Sequence, residues 1–322
     1  MPFPKVENGR VDPQLTNVLL AYTNSDFVAE KIMPTVPNLK DESGVIPRLG
    51  NSHLRVYSSK RSLYDTGEHR INYTLDNDLT YKIDYYDLDA YVPDRLQEQL
   101  QKPFDAKNAA QKTVMDALML EREAGLAAML TDVTVVTNNT TLSGSDQYTD
   151  TVNSDPQGDF DTARTTIFDA IGREANYCLM NRKVANTLRR HPFFTERAIA
   201  MLGGKATKDG SLSMSAFIET MKAEFDLEEV IIGKSIYVSS KEGQTETKAQ
   251  VWGNDVVFFY RPSAPSLYTP SFGYSFQLTG YNKQTRTRRH TSDFGDVVVC
   301  LWAYQDKILD TDAAYLIKDA VA

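Results

Sequence analysis

Between Pro103 and Pro156 the chain contains no proline, and the first part of that interval, Pro103–Thr131, carries apolar residues at helical spacing. Pro103 suits a first helical turn and Asp105 adds negative charge there, so one long helix is expected. At 1.5 Å per residue it would be roughly 40 Å long, close to the diameter of a small domain. Ala110, Val114, Leu118, Gly125 and Met129 form a stripe that Met115, Leu126 and Leu130 widen, while Lys107, Lys112, Asp116 and Glu123 fall elsewhere. The expectation is a strut with one packed and one wet face.

Around this strut the chain is long enough, at 322 residues, for one large or two ordinary domains. A net charge of −8 argues against whole-surface attraction to nucleic acid or anionic membrane, so any contact with DNA would be local. No apolar run is long enough to cross a bilayer, and MPFPKVENGR has neither the basic start nor the apolar centre of a signal peptide. A cytosolic protein is expected. Cys178 and Cys300, the two cysteines, are far apart and read as small core residues in a reducing compartment.

Ahead of the strut, residues 1–41 read as an N-terminal arm. Pro2, Pro4, Pro13, Pro34 and Pro37 forbid a continuous helix or central strand, leaving short helices at Gln14–Ala21 and Asp26–Met33. Residues 42–79 read as an extended β-hairpin, with turn formers at Ser58–Gly67 and strand formers such as Val56, Tyr57, Ile71 and Tyr73 on its flanks. Its apolar residues are too sparse to hold a free hairpin, which needs another surface, expectedly on another subunit. From Thr80 to Val92 alternation shifts phase by one: Tyr81, Ile83 and Tyr85 first, then Tyr86, Leu88, Ala90 and Val92. Such a shift marks a bulge or passage between packing environments. Pro93 ends the strand, and the polar DRLQEQLQ leads to the strut.

After the strut, Val133–Val136 is expected as a short strand and Thr137–Asp159 as a loop. The glycosylation sequons at Asn72, Asn138 and Asn139 carry little meaning without a secretion signal. A helix should open at Asp161 and run to Arg173, with Ala163, Ile167, Ala170 and Ile171 inside. Tyr177–Met180 should be a buried strand and Arg182–Arg190 a helix stopped by His191-Pro192. Helix Ser213–Phe225 and the strands Glu229–Gly233 and Val251–Phe259 complete a compact α/β region from about Asp161 to Tyr268. Gly273–Thr279 and Asp296–Leu309 read as strands rejoining the body that holds the strut. The division that follows is 80–160 with a spine helix at 103–131, an α/β part at 161–272, and returning strands and tail at 273–322.

No catalytic constellation stands out, and no cofactor or metal is expected. GGKAT at Gly203–Thr207 fails as a phosphate loop, because Ile199 holds the leading glycine position and Ala206 the hydroxyl position. His53, His69, His191 and His290 lack paired-ligand spacing. Asp293-Phe294-Gly295 has neither companion kinase motif and reads as a turn. The strongest basic cluster is Arg286, Arg288, Arg289 and His290, with Arg286 and Arg288 on one side of a strand, an arrangement for acidic residues of a neighbouring subunit more than for nucleic acid. Tyr57, Arg61, Tyr64 and Arg70, in the outer half of the hairpin, likewise look like interface groups.

The order of these parts resembles the major capsid proteins of tailed bacteriophages, whose shared fold is named after the Hong Kong ninety-seven phage. The resemblance rests on the arm VDPQLTNVLLAY with FVAEKIMP, the excursion Glu42–Leu79, the helix Pro103–Thr131, VWGNDVVFFY, and the ending DTDAAYLIKDAVA. It implies an α+β fold with a peripheral domain around the spine helix and an axial α/β domain. It also implies a subunit that assembles with itself into pentamers and hexamers of an icosahedral head around double-stranded DNA, built in the host cytoplasm without a membrane. Scaffolding, portal and decoration proteins are the further partners it implies. The lysine–asparagine cross-link of some members is not carried over. An encapsulin-type compartment enclosing protein cargo is the alternative within the fold, and an enzyme with an unrecognised site the alternative outside it.

Overall fold

Two β-sheets are joined by one helix that contributes to both of their cores. The computed structural model describes residues 10–11, 27–49, 56, 75–99, 105–202, 211–241, 243–265, 271–290 and 294–322. The helix, α3 (Ala106–Leu130), starts where Asp105, still extended, turns its carboxylate onto the free N–H groups of Lys107 and Asn108. Its 25 residues make it about 37 Å long. Its start is therefore set by the Asp105 cap; Pro103 lies outside the described residues.

The first half of α3 lies on a six-stranded sheet whose axis is the 14-residue strand β14 (Gly295–Ile308). One edge of β14 pairs with β5 (Asp84–Pro93), from Gly295↔Pro93 to Tyr304↔Asp84. Along the other edge run β12 (Gly273–Leu278) and then β13 (Gln284–His290). β2 (Thr35–Leu39) adds in parallel to β12, and β1 (Arg10–Val11) in antiparallel to β13. Pro37 is tolerated in β2 because β2 is an edge strand. Val114, Met115, Leu118 and Met119 of α3 pack on Cys300, Trp302 and Tyr304 of β14, burial that makes this half of the helix stable.

The base of the excursion is a separate two-stranded sheet, β3 (Ser43–Leu49) with β4 (Leu75–Lys82), bulged between Ile46 and Arg48. The bulge falls at Pro47, which has no N–H to give to the ladder. Tyr81 stacks on Phe276 of β12 at 4.8 Å and lies so close over Gly44 that any Cβ there would meet its ring. Between Lys82 and Asp84 the chain leaves this sheet and joins β14, and the phase shift expected at Thr80–Val92 is that passage. Ile83, at the passage, and Val92, near the end of β5, are both buried. Tyr57, Arg61, Tyr64 and Arg70 lie outside the described residues, as does Gly203–Thr207.

The second sheet has the order β6 (Asn139–Thr141), β15 (Ala314–Lys318), β11 (Val256–Phe259), β7 (Tyr177–Asn181), β8 (Glu229–Gly233). β7 and β8 are parallel, a pairing that needs the crossover supplied by α5 (Arg182–Leu188), α6 (Pro192–Leu202) and α7 (Met214–Phe225). α4 (Pro156–Ile171) covers β15 and β11. Phe160, Phe194, Phe217, Phe225 and Phe258 meet in the interior, and Leu126, Ala127 and Leu130 of α3 belong to the same core. β8 leads into a ribbon, β9 (Ile236–Val238) with β10 (Lys248–Gln250), that pairs with no other described strand.

Several expectations are corrected. Val133–Val136 is a turn, because the Asp132 carboxylate takes the N–H and hydroxyl of Thr134. Within the expected loop Thr137–Asp159, Asn139–Thr141 is strand β6, paired in parallel with β15. α4 opens at Pro156 under an Asp155 cap, ahead of Asp161, and ends at Gly172 in the left-handed conformation (φ 67°), before Arg173. Pro192 opens α6 where a stop alone was expected, since proline suits the first turn. DRLQEQLQ contains the short helix α2 (Asp94–Gln99). Val251–Asn254 is a turn ahead of β11. The tail 314–318 forms β15, between β6 and β11 in the second sheet. On α3, Gly125 is exposed and Glu123 is fully buried, the reverse of the faces expected for them.

Candidate functional site

Where α3 passes from the first core to the second, its apolar stripe is interrupted by two buried charges, Arg122 and Glu123. The Arg122 guanidinium donates to both carboxylate oxygens of Asp306 on β14, at 2.7 and 2.8 Å, and to Ser275 Oγ on β12 at 3.0 Å. It lies over the neighbouring rings of Trp302 and Tyr304, whose centres are 4.9 and 5.0 Å away. Glu30, on α1 (Ala29–Ile32), stands 3.9 Å from Arg122 and accepts from Lys283 at 2.6 Å. Burial tends to strip the charge from Arg122, and Asp306 and Glu30 more than restore it, raising its pKa.

Glu123 points the other way. Its Oε2 accepts the backbone N–H groups of Val28 and Ala29, at 2.8 and 3.1 Å, at the start of α1. Its Oε1 accepts Ser235 Oγ at 2.8 Å and the indole Nε1–H of Trp252 at 2.7 Å, both from turns beside the second sheet. One carboxylate thus satisfies four buried donors from three parts of the chain. Adjacent helix positions face different ways, so Arg122 binds the first sheet while Glu123 binds the second, and both hold α1. Apolar periodicity gives no sign of either residue; their adjacency inside a buried stripe was the available signal.

The basic segment forms β13. Arg286 and Arg288 do share one side of it, by their alternation. Arg288 meets Asp89 of β5 at 3.2 Å with both side chains about half exposed, while the Arg286 Nε is buried and has no hydrogen-bond partner among the described residues. Arg289, on the opposite side, forks onto Asp94 and reaches Asp296, which Lys107 of α3 also binds at 2.7 Å. Despite partial burial, Asp296 is held below the usual carboxylate range by Lys107, Gln97 and Arg289.

Elsewhere the chemistry is structural. Cys178 and Cys300 are buried and free, and burial pushes the Cys300 thiol up to about 11 and Cys178 further. His191 is buried, with Nδ1 accepting the N–H of Phe193 at 3.3 Å and Nε2 3.2 Å from Ser154 Oγ. Among the described residues no group of histidine, cysteine and carboxylate side chains is arranged to hold a metal ion.

No family model matches the chain. It is 28% identical over 325 residues to the major capsid protein of Burkholderia phage BcepMu, with 96% of each chain covered. It is 25% identical over 284 residues to the major capsid protein of Pseudomonas phage JBD67, covering 87% of this chain and 83% of that one. A phage-related protein of Bordetella bronchiseptica RB50, known from its crystal structure, superposes with a TM-score of 0.75 at 26% identity over 98% of this chain and 99% of that one. The chain is of the phage major-capsid type. The capsid protein of cyanophage P-SCSP1u shares the fold at 14% identity, with a TM-score of 0.58 over 98% of this chain and 93% of that one. The Arg122–Glu123 joint fixes α1 and the elements of both sheets to one spine. This is a structural protein and not an enzyme.

Proposed function

We propose that this chain is the repeating subunit of an icosahedral phage head, assembled as pentamers and hexamers around double-stranded DNA. Its parts are the arm 1–41, the excursion 42–79, a peripheral part 80–160 on the spine, an axial part 161–272 and the returning strands 273–322, with the tail strand β15 completing the axial sheet. The observation that carries the reading is the near full-length match to major capsid proteins together with a spine helix locked to both sheets. Contact between copies is made by the excursion, through Tyr57, Arg61, Tyr64 and Arg70, and by Arg286 and Arg288, with many weak interfaces made cooperative by repetition. Scaffolding, portal and decoration proteins join the shell in the host cytoplasm, and DNA touches it only locally because the subunit is acidic.

Replacing residues 52–71 by a short Gly/Ser turn tests this. The spine and both sheets should fold, seen by circular dichroism, while sedimentation finds no stable shells. Shells as heat-resistant as the parent's would remove the excursion from the interface, and a parent that stays a monomer at all micromolar concentrations would remove the shell reading itself.

A further inference from the structure

On the second sheet, α5 and the residue pair after it line an open groove of 680 Å³ with Arg182, Lys183, Asn186, Thr187, Arg189 and Arg190. Thr149, Thr151 and Gln250 complete it, so that the lining has four cationic side chains and no carboxylate. In a chain of net charge −8 this is an unusual concentration of one sign. Arg182 and Arg190 are exposed, and among the described residues none of Arg182, Arg189 and Arg190 pairs with a carboxylate. Arg189 donates to the Leu212 carbonyl at 3.2 Å, while its buried Nε has no partner. Lys183 reaches the carbonyl of Ala322 at 2.7 Å.

The complementary surface is on the same chain but elsewhere on the sheet. α4 covers β15 and β11, whereas α5 lies against β7 and β8. The outward face of α4 presents Asp161, Thr165, Phe168 and Asp169, all exposed, and neither carboxylate has an ion-pair partner among the described residues. Phe168 is 49% exposed between these acids. Arg182, Asn186, Arg189 and Arg190 follow the same spacing as Asp161, Thr165, Phe168 and Asp169. Eight residues of helix separate Asp161 from Asp169 by about 12 Å, and Arg190 lies two residues past the end of α5. Gln250 at the groove pairs across the ribbon with Ile236, which is 52% exposed and offers an aliphatic rim for Phe168. One copy cannot bring both surfaces together, but a ring of copies related by rotation can, since a head-to-tail interface joins two different patches.

We infer that the Arg182–Arg190 groove receives the Asp161–Asp169 face of α4 from a neighbouring copy, forming the contact within each capsomer. This rests on the shell reading and specifies one interface of it. Opposed charges at this rim steer association and fix its register.

The test is a charge-swap cycle on the full chain, read by sedimentation and electron microscopy, with circular dichroism as the folding control. Arg182→Glu with Arg190→Glu should raise the concentration for half-assembly by about tenfold or more, and so should Asp161→Lys with Asp169→Lys, each leaving the fold intact. The variant carrying all four changes should regain assembly. Normal assembly of either double variant would overturn the inference, as would failure of the fourfold variant while both doubles fold and fail. Normal shells from the groove variant with reduced DNA retention would overturn it in favour of a nucleic-acid surface. The parent chain is the control for the shell reading: if it forms shells and the swaps have no effect, only this interface is lost.

Discussion

Glu123→Gln isolates the joint, because it keeps the shape of the side chain and removes only its charge and one acceptor. In the parent, Oε2 serves Val28 and Ala29 and Oε1 serves Ser235 and Trp252. A glutamine can turn its oxygen to the two backbone donors, which sets its amide NH₂ against the indole N–H of Trp252, donor against donor. The Ser235 hydroxyl can rotate to accept; the indole cannot. A buried unsatisfied N–H costs about 1–3 kcal/mol. The two retained bonds lose their ionic character, which adds about 1 kcal/mol. The expected loss is about 2–4 kcal/mol, or roughly 5 °C or more in the melting temperature of the unassembled subunit. Differential scanning fluorimetry measures the melt, and the emission of Trp252, one of only two tryptophans, reports the local break. Hydrogen exchange should quicken at Val28 and Ala29. An unchanged melt with unchanged protection of these two amides would refute the claim that Glu123 pins α1 to the second sheet.

Leu118→Asp, which sets a charge among Val114, Met115, Trp302 and Tyr304, should cost several kcal/mol and leave little soluble subunit, checked by yield and melting temperature. Arg286→Ala with Arg288→Ala should change the melt little, since the Arg288–Asp89 pair is exposed, yet impair shell formation seen by sedimentation. Burial holds the His191 pKa below 6.5, with Asp155 opposing, so its neutral form is favoured by folding. Its contribution should be full above pH 6.5 and fall away as pH drops through the folded pKa; urea melts at pH 7.5 and 5 should show a smaller pH dependence for His191→Gln than for the parent.

The elements that were legible in the sequence are those with a long one-sided stripe or an unbroken apolar run. α3 repeats its stripe over seven turns, and β7, apolar from Tyr177 to Met180, is buried at every position. α7 begins one residue after Ser213, whose hydroxyl accepts the Ala216 N–H as an N-cap should. The misread segments have local polar chemistry that overrides apolar pattern. Asp132 converts an apolar, β-branched stretch into a turn, and Asn139–Thr141, polar enough to read as loop, is a strand only because β15 offers it a free edge. That edge comes from residues more than 170 positions later, which no local reading can supply.

The same reasoning explains why the joint was invisible. A charged residue on an amphipathic helix reads as the wet face, and in a helix with a single core that inference holds. α3 serves two cores in succession, so its inward direction rotates between Met119 and Leu126, and in the handover Arg122 and Glu123 are buried while Glu121, Ala124 and Gly125 stay exposed. Apolar side chains there would bind the cores without fixing their relative register. Arg122 and Glu123 fix it, because Arg122 makes its hydrogen bonds only with Asp306 and Ser275 in place, and Glu123 only with Ser235, Trp252 and the start of α1 in place. Buried charges of this kind add little net stability and penalise every misplaced arrangement. A subunit used in many copies gains from that penalty, because every copy then holds its two sheets in the same register.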